Sequence, residues 1–151
     1  MSDIRGLLLS GMESYFGDDA KRITHARRVL EHAERLLERN PGTDRDVVVA
    51  AAVLHDIGIH EAERKHGSPA ARFQELEGPP IARKIMEKVG MSEDKIGEVC
   101  DIIANHHTPG KVNTVNFKVL YDADFLVNVG EKYNICGKKK LMKVVEELFV
   151  G

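Results

Sequence analysis

An all-α fold is the class this sequence predicts, as a compact helical bundle forming one domain over residues 1–151. Three observations point to it. Apolar residues recur at spacings of three and four along most of the chain. The segments are punctuated by Asn-Pro-Gly, Pro-Pro and Pro-Gly breaks. No segment keeps the period-two alternation of a half-buried strand.

The elements follow in order. A first helix fits Ile4 to Phe16 and stops at Gly17. Asp18 or Asp19 is a good N-cap for a long second helix to about Arg39, with Ala26, Val29, Leu30, Ala33, Leu36 and Leu37 on one face. Asn40-Pro41-Gly42 ends it. Asp44 caps a third helix through Val47 to Leu54, an unbroken apolar run that stops near Gly58. The alanines at its centre favour a buried helix over a strand. The stretch from Ile59 to Gly67 reads as a rim loop. A segment near Pro69 to Leu76 follows, and Pro79-Pro80 then opens a helix to about Val89. Gly90 and Ser92 lead into another, through Ile96, Val99, Ile102 and Ile103 to His106. After a second rim loop around Thr108 to Asn113, two further helices fit Val115 to about Tyr133 and Lys138 to Val150.

Composition narrows the function classes. The 151 residues are 42% apolar and 30% charged, with a formal net charge of -2, so no global positive field recruits nucleic acid or a membrane. The apolar run at Val47–Leu54 is far too short to span a bilayer. Cys100 and Cys136 form no metal or disulfide framework, which suits a cytoplasmic protein. The amphipathic end (Leu141, Val144, Val145, Leu148, Phe149) could pack on its own core or on a second copy in a homodimer. Lys138, Lys139 and Lys140 read as a solvated helix start.

The chemistry sits in the histidines, at positions 25, 32, 55, 60, 66, 106 and 107. His55 and Asp56 close the most apolar run of the chain. Burying two such groups without partners costs several kcal/mol, about 2–7 for each neutral group and more for a charge. A divalent cation partners a neutral imidazole and a carboxylate together. Adjacent helical residues point about 100° apart, so both could reach one ion near the helix end. His32 lies about 10 Å along the helix from His25, too far to share an ion with it.

Here the motifs become specific. Ala-Ala-Val-Leu-His-Asp-Ile-Gly at 51–58 resembles the signature of the HD-domain superfamily of metal-dependent phosphohydrolases. His25-Ala-Arg-Arg-Val resembles the family's first-histidine motif, and Tyr121-Asp-Ala-Asp-Phe-Leu its closing segment. His66-Gly-Ser-Pro-Ala-Ala and Ile102-Ile-Ala-Asn-His-His resemble segments of two-metal members. The resemblance implies a first divalent ion held by His25, His55, Asp56 and Asp124, and a second held by His66 and His106 or His107. Mn, Mg, Fe, Co, Ni and Zn all suit such a cage. Periodicity alone leaves Asp122 and Asp124 open, since each shares a face with apolar residues; the family pattern places the ligand at Asp124.

The expected activity is hydrolysis of a phosphomonoester or phosphodiester, nucleotides among them, by a metal-activated water. Asp56 would ligate and orient that water, Arg28 would hold substrate phosphate, and His60 would donate a proton at the open side. Lys65 and Lys111 are weaker phosphate candidates. Ile59 replaces the Lys of cyclic-dinucleotide phosphodiesterases, and Thr-Pro-Gly-Lys at 108–111 lacks their Gly-Tyr-Pro motif. Positions 59 and 60 also lack the acidic residue of related nucleotide hydrolases; Glu61 lies one step on. Two other classes remain: a di-iron oxygenase with the same ligand order, and a non-catalytic metal-binding sensor domain.

Overall fold

The computed structural model describes residues 3–133. They form α1 (Ile4–Phe16), α2 (Ala20–Arg39), α3 (Arg45–Leu54), α4 (Ile59–His66), α5 (Ala71–Val89), α6 (Glu93–Asn105) and α7 (Val115–Tyr133). Among the described residues there is no strand. The expected helix at Lys138–Val150 lies outside them, as do Cys136 and the lysine run.

The third helix organises the rest. Every residue from Val47 to Leu54 is buried, and α1, α2, α5, α6 and α7 all pack on α3. A helix that is apolar all round belongs inside a protein. Such a helix has no solvated face to stop on, so its ends must be fixed by specific bonds. At its start the Asp44 side chain accepts from Val47 N–H at 3.3 Å. The Asp44 N–H donates to Asn116 Oδ1 at 2.8 Å, and Asn116 Nδ2 donates to Glu98 Oε2 at 2.7 Å. That chain of bonds ties the starts of α3 and α7 to α6. Asp19, rather than Asp18, caps α2 through Arg22 N–H.

Two expectations need correction. The stretch Ile59–His66 is a helix, not a rim loop. Ile59 and Ala62 bury one side of it, and Gly67 closes it in a left-handed conformation (φ 70°). Pro79-Pro80 does not open a helix: α5 runs unbroken from Ala71 to Val89 with both prolines inside. Interior proline costs about 3 kcal/mol, and here packing against α4 and α6 on either side offsets it.

The turn after α3 lies unusually close to α5. A Cβ added at Gly58 would meet Gly78 N at 2.6 Å and Gln74 O at 2.8 Å, both backbone atoms. Only glycine fits at this crossing, and the crossing fixes where the preceding Asp56 points. Gly58→Ala is therefore expected to destabilise the fold by about 1–3 kcal/mol, lowering the melting temperature by roughly 3–10 °C. Gly97→Ala, on a helical site where an added Cβ meets nothing within 4 Å, is expected to raise it slightly. Thermal denaturation of the two variants checks the contrast.

Candidate metal centre

Four of the expected ligands converge where α2, α3 and α7 meet. His25 Nε2 lies 3.1 Å from Asp124 Oδ1 and 3.4 Å from Asp56 Oδ2. His55 Nε2 lies 3.2 Å from Asp124 Oδ1 and 3.3 Å from Asp56 Oδ2. The other Asp56 oxygen, Oδ1, stands 3.4 Å from His106 Nε2. Asp56 thus faces two groups of donors at once: His25 and His55 on one side, His106 and His107 on the other.

The local reason for this convergence is a repeated device. His55 follows α3 as its C-cap, and His106 follows α6 in the same way. The last carbonyls of a helix lack intrahelical partners. His55 Nδ1 donates to Ala52 O at 2.9 Å, and His106 Nδ1 donates to Ile103 O at 2.7 Å. A carbonyl can only accept, so in each ring the proton is on Nδ1. That leaves Nε2 aimed inward. Both Nε2 atoms are fully buried and form no hydrogen bond. Acceptor nitrogens set against acceptor oxygens at 3.2–3.4 Å repel one another unless a proton or a cation lies between them. Imidazoles and carboxylates together form a donor set that suits a first-row divalent metal, so the residues present fit the ion that the sequence motifs imply.

The electrostatics agree. Burial alone would push the imidazoles of His25 and His55 down, but Asp56 and Asp124 outweigh it and hold both above the ordinary histidine value. Burial would raise Asp56 and Asp124; the facing histidines, His55 first, hold both below the usual carboxylate range. A site that draws protons onto its histidines and keeps its carboxylates ionised is one that a cation can enter by displacing protons.

The remaining candidates are distributed as follows. His107 stands beside His106, its ring centroid 3.9 Å away, with its N–H on Glu75 Oε2. His66 does not join the cluster. Its Nε2 is 2.9 Å from Glu77 Oε2, and its ring stacks on Phe73. Because α4 continues to His66, the side chain is carried onto α5. His60 does not join the cluster either. It pairs with Asp19 Oδ2 at 2.7 Å, edge-on to Phe16. Lys65 pairs with Glu77, and Lys111 is exposed in the turn after α6. Arg28 sits one turn from His25, 3.7 Å from Glu131. Asp124 is the aspartate in the cluster. Asp122 is buried on another side of α7, with Oδ2 unpaired.

A cleft of about 300 Å³ opens onto the cluster. His25, Asp56, His107 and Asp124 line it, with Lys21 and Arg22 from the start of α2 and Gln74, Asn128 and Glu131 around the rim. Sequence reasoning passed over Glu131. It lies 3.2 Å from His25 Nδ1, so its carboxylate holds the proton there and turns Nε2 to the cluster. Its spacing was a usable signal: seven residues after Asp124 is two helical turns, on the same face.

A model of the HD domain family matches residues 22–129. The chain belongs to the HD-domain family. That match contains the first histidine, the His55-Asp56 pair and Asp124. The fold is also similar to the solved structure of a predicted HD superfamily hydrolase from an uncultured Thermotogales bacterium. The TM-score is 0.66 at 24% identity, over 93% of this chain and 84% of that one. No curated protein matches. Within this HD domain, the backbone carbonyls at two helix ends and the carboxylate of Glu131 are what orient the three inner histidines.

Two outcomes follow from this arrangement. Glu131→Gln is expected to weaken divalent-metal binding by about 10–100-fold with the fold retained, measured by titration of chelator-treated protein. Asp122 gives a pH signature. Burial pushes its carboxyl up to about 6, so its contribution to stability is full below pH ~4 and is lost as pH rises through ~6. Asp122→Asn is therefore expected to stabilise the protein at pH 8 by about 1–2 kcal/mol and to change little at pH 4. That range discounts for partial solvation and the nearby Lys118 charge. Melting curves at the two pH values check it.

Proposed function

We propose that this HD-domain protein is a metal-dependent phosphohydrolase that cleaves a phosphomonoester or phosphodiester with water. The observation that carries the reading is the placement of Asp56, one oxygen toward His25 and His55 and the other toward His106. A carboxylate so placed can serve two ions, with His25, His55 and Asp124 completing one site and His106 and His107 contributing to the other. Bound divalent ions would supply a nucleophilic water at neutral pH and offset charge developing on the phosphoryl oxygens.

The chain's own residues do the rest. Asp56 orients the attacking water. Arg22 at the cleft attracts the anionic substrate and holds phosphoryl oxygens. Exclusion of bulk solvent by the buried His55 and His106 strengthens each of these interactions. His60 pairs with Asp19 and does not line the cleft, so this reading gives it no part in protonating the leaving group. His66 takes no part in the second site in this reading, because its side chain is bonded to Glu77. A free thiol at Cys100 fits a cytoplasmic setting, and no helix of the described residues is long and apolar enough to cross a membrane.

Protein purified without chelators is expected to hydrolyse phosphoesters when Mn²⁺, Mg²⁺, Co²⁺ or Ni²⁺ is supplied. Asp56→Ala is expected to lower kcat/KM by about 10³-fold or more. Absence of metal-stimulated hydrolysis across a phosphoester panel would overturn the reading. Activity that needs iron and dioxygen would replace it with the oxygenase. Full activity of Asp56→Ala would show that the site is misplaced.

A further inference from the structure

Arg28 does not line the cleft that holds the cluster. It lines a neighbouring groove of about 780 Å³ between α2 and α7, with Ala20, Lys21, Thr24, Asn128 and Glu131. The two cavities are continuous in their walls, because Lys21, Asn128 and Glu131 belong to both. Lys21 and Arg28 lie seven residues apart, so they stand about 10 Å apart along the axis of α2, on either side of His25.

The charges in this groove are unevenly used. Glu131 faces His25 Nδ1 at 3.2 Å, and its contact with Arg28 is longer, at 3.7 Å. Lys21 has no ion pair among the described residues, and the Arg28 side chain is half exposed. Two cations therefore face one carboxylate that is already committed to the cluster. Thr24 and Asn128 add a hydroxyl and an amide between them, suited to hydroxyl groups on a ligand. Among the described residues no aromatic ring lines the groove, so it offers no platform on which a nucleobase would stack.

We infer that this groove is a second anion subsite, and that the preferred substrate is an organic bisphosphate whose two phosphates are joined by a short polyhydroxy chain. One phosphate reaches the cluster and the other is held by Lys21 and Arg28. This rests on the phosphohydrolase reading and reassigns Arg28 within it, from the reacting phosphate to the distant one. The reaction is an ordinary ester hydrolysis. Water forms a new P–O bond, the bond to the sugar oxygen breaks, and that oxygen takes a proton to leave as an alcohol.

The test compares fructose 1,6-bisphosphate with fructose 6-phosphate on the Mn²⁺-loaded protein by calorimetry, which reads affinity, or KM where turnover occurs. The bisphosphate is expected to bind about tenfold tighter or more. In the Lys21→Ala/Arg28→Ala double variant that difference is expected to disappear, while affinity for the monophosphate changes less. Arg27→Ala removes an exposed charge on α2 that pairs with Glu13 instead, and it is expected to leave the difference intact. Equal affinities, no measurable binding of either sugar phosphate, or a preference that survives the double variant would each overturn the inference. Tight bisphosphate binding with no hydrolysis of any phosphoester would instead overturn the phosphohydrolase reading and leave the anion subsite standing.

Discussion

Two histidines at two helix ends spend one ring nitrogen each on a backbone carbonyl, and this constraint organises the site. His55 Nδ1 on Ala52 O and His106 Nδ1 on Ile103 O satisfy carbonyls that a helix terminus leaves without partners. The same bonds lock the tautomer and direct both Nε2 atoms into a buried space shared with Asp56 and Asp124. A local solution to a helix-capping problem thereby becomes a pair of inward-facing nitrogens able to bind a cation. Neither nitrogen finds a hydrogen bond there. In a dry interior that is costly, about 1–3 kcal/mol for each such group, and a cation on each side of Asp56 would remove it.

The fold is arranged so that this convergence cannot relax. Because α3 is buried on every side, its end cannot swing without disturbing the core. Gly58 lets the following turn press against the backbone of Gly78 and Gln74, which anchors the segment just after Asp56. On the far side, Glu75 accepts from His107 N–H and from Thr108 Oγ1, holding the turn after α6. Glu131 fixes His25 from α7. His55 and His106 are thus held by carbonyls of the helices they cap, and His25 and His107 by carboxylates on other elements, so the geometry is built before any ion arrives. Stability is spent on this, most visibly in the two prolines kept inside α5.

Much of the architecture was legible in the sequence. The boundaries of α1, α2, α3, α6 and α7 follow from caps and periodicity, because Asp19, Asp44, Gly17 and Gly90 act locally. The clustered residues His25, His55, Asp56 and Asp124 were legible because they sit in motifs whose order is specific. What escaped depended on tertiary context. The α4 helix carries only two buried side chains, Ile59 and Ala62, too sparse a pattern to register. The prolines of α5 signal a break locally, and contacts from α4 and α6 overrule it. His60 and His66 are polar residues whose partners, Asp19 and Glu77, lie 41 and 11 residues away in the chain; nothing in their neighbourhood announces those pairings. Glu131 was findable from its helical spacing, though only once Asp124 had been chosen over Asp122.

The central claim is that Asp56 and the capped histidines hold divalent metal. Anomalous diffraction from crystals grown without chelators, at the absorption edge of whichever metal elemental analysis finds, tests it most directly. The account predicts a peak about 2.0–2.3 Å from His55 Nε2, also within bonding reach of His25, Asp56 and Asp124. A metal-free protein, or a peak away from Asp56 and His55, would contradict it.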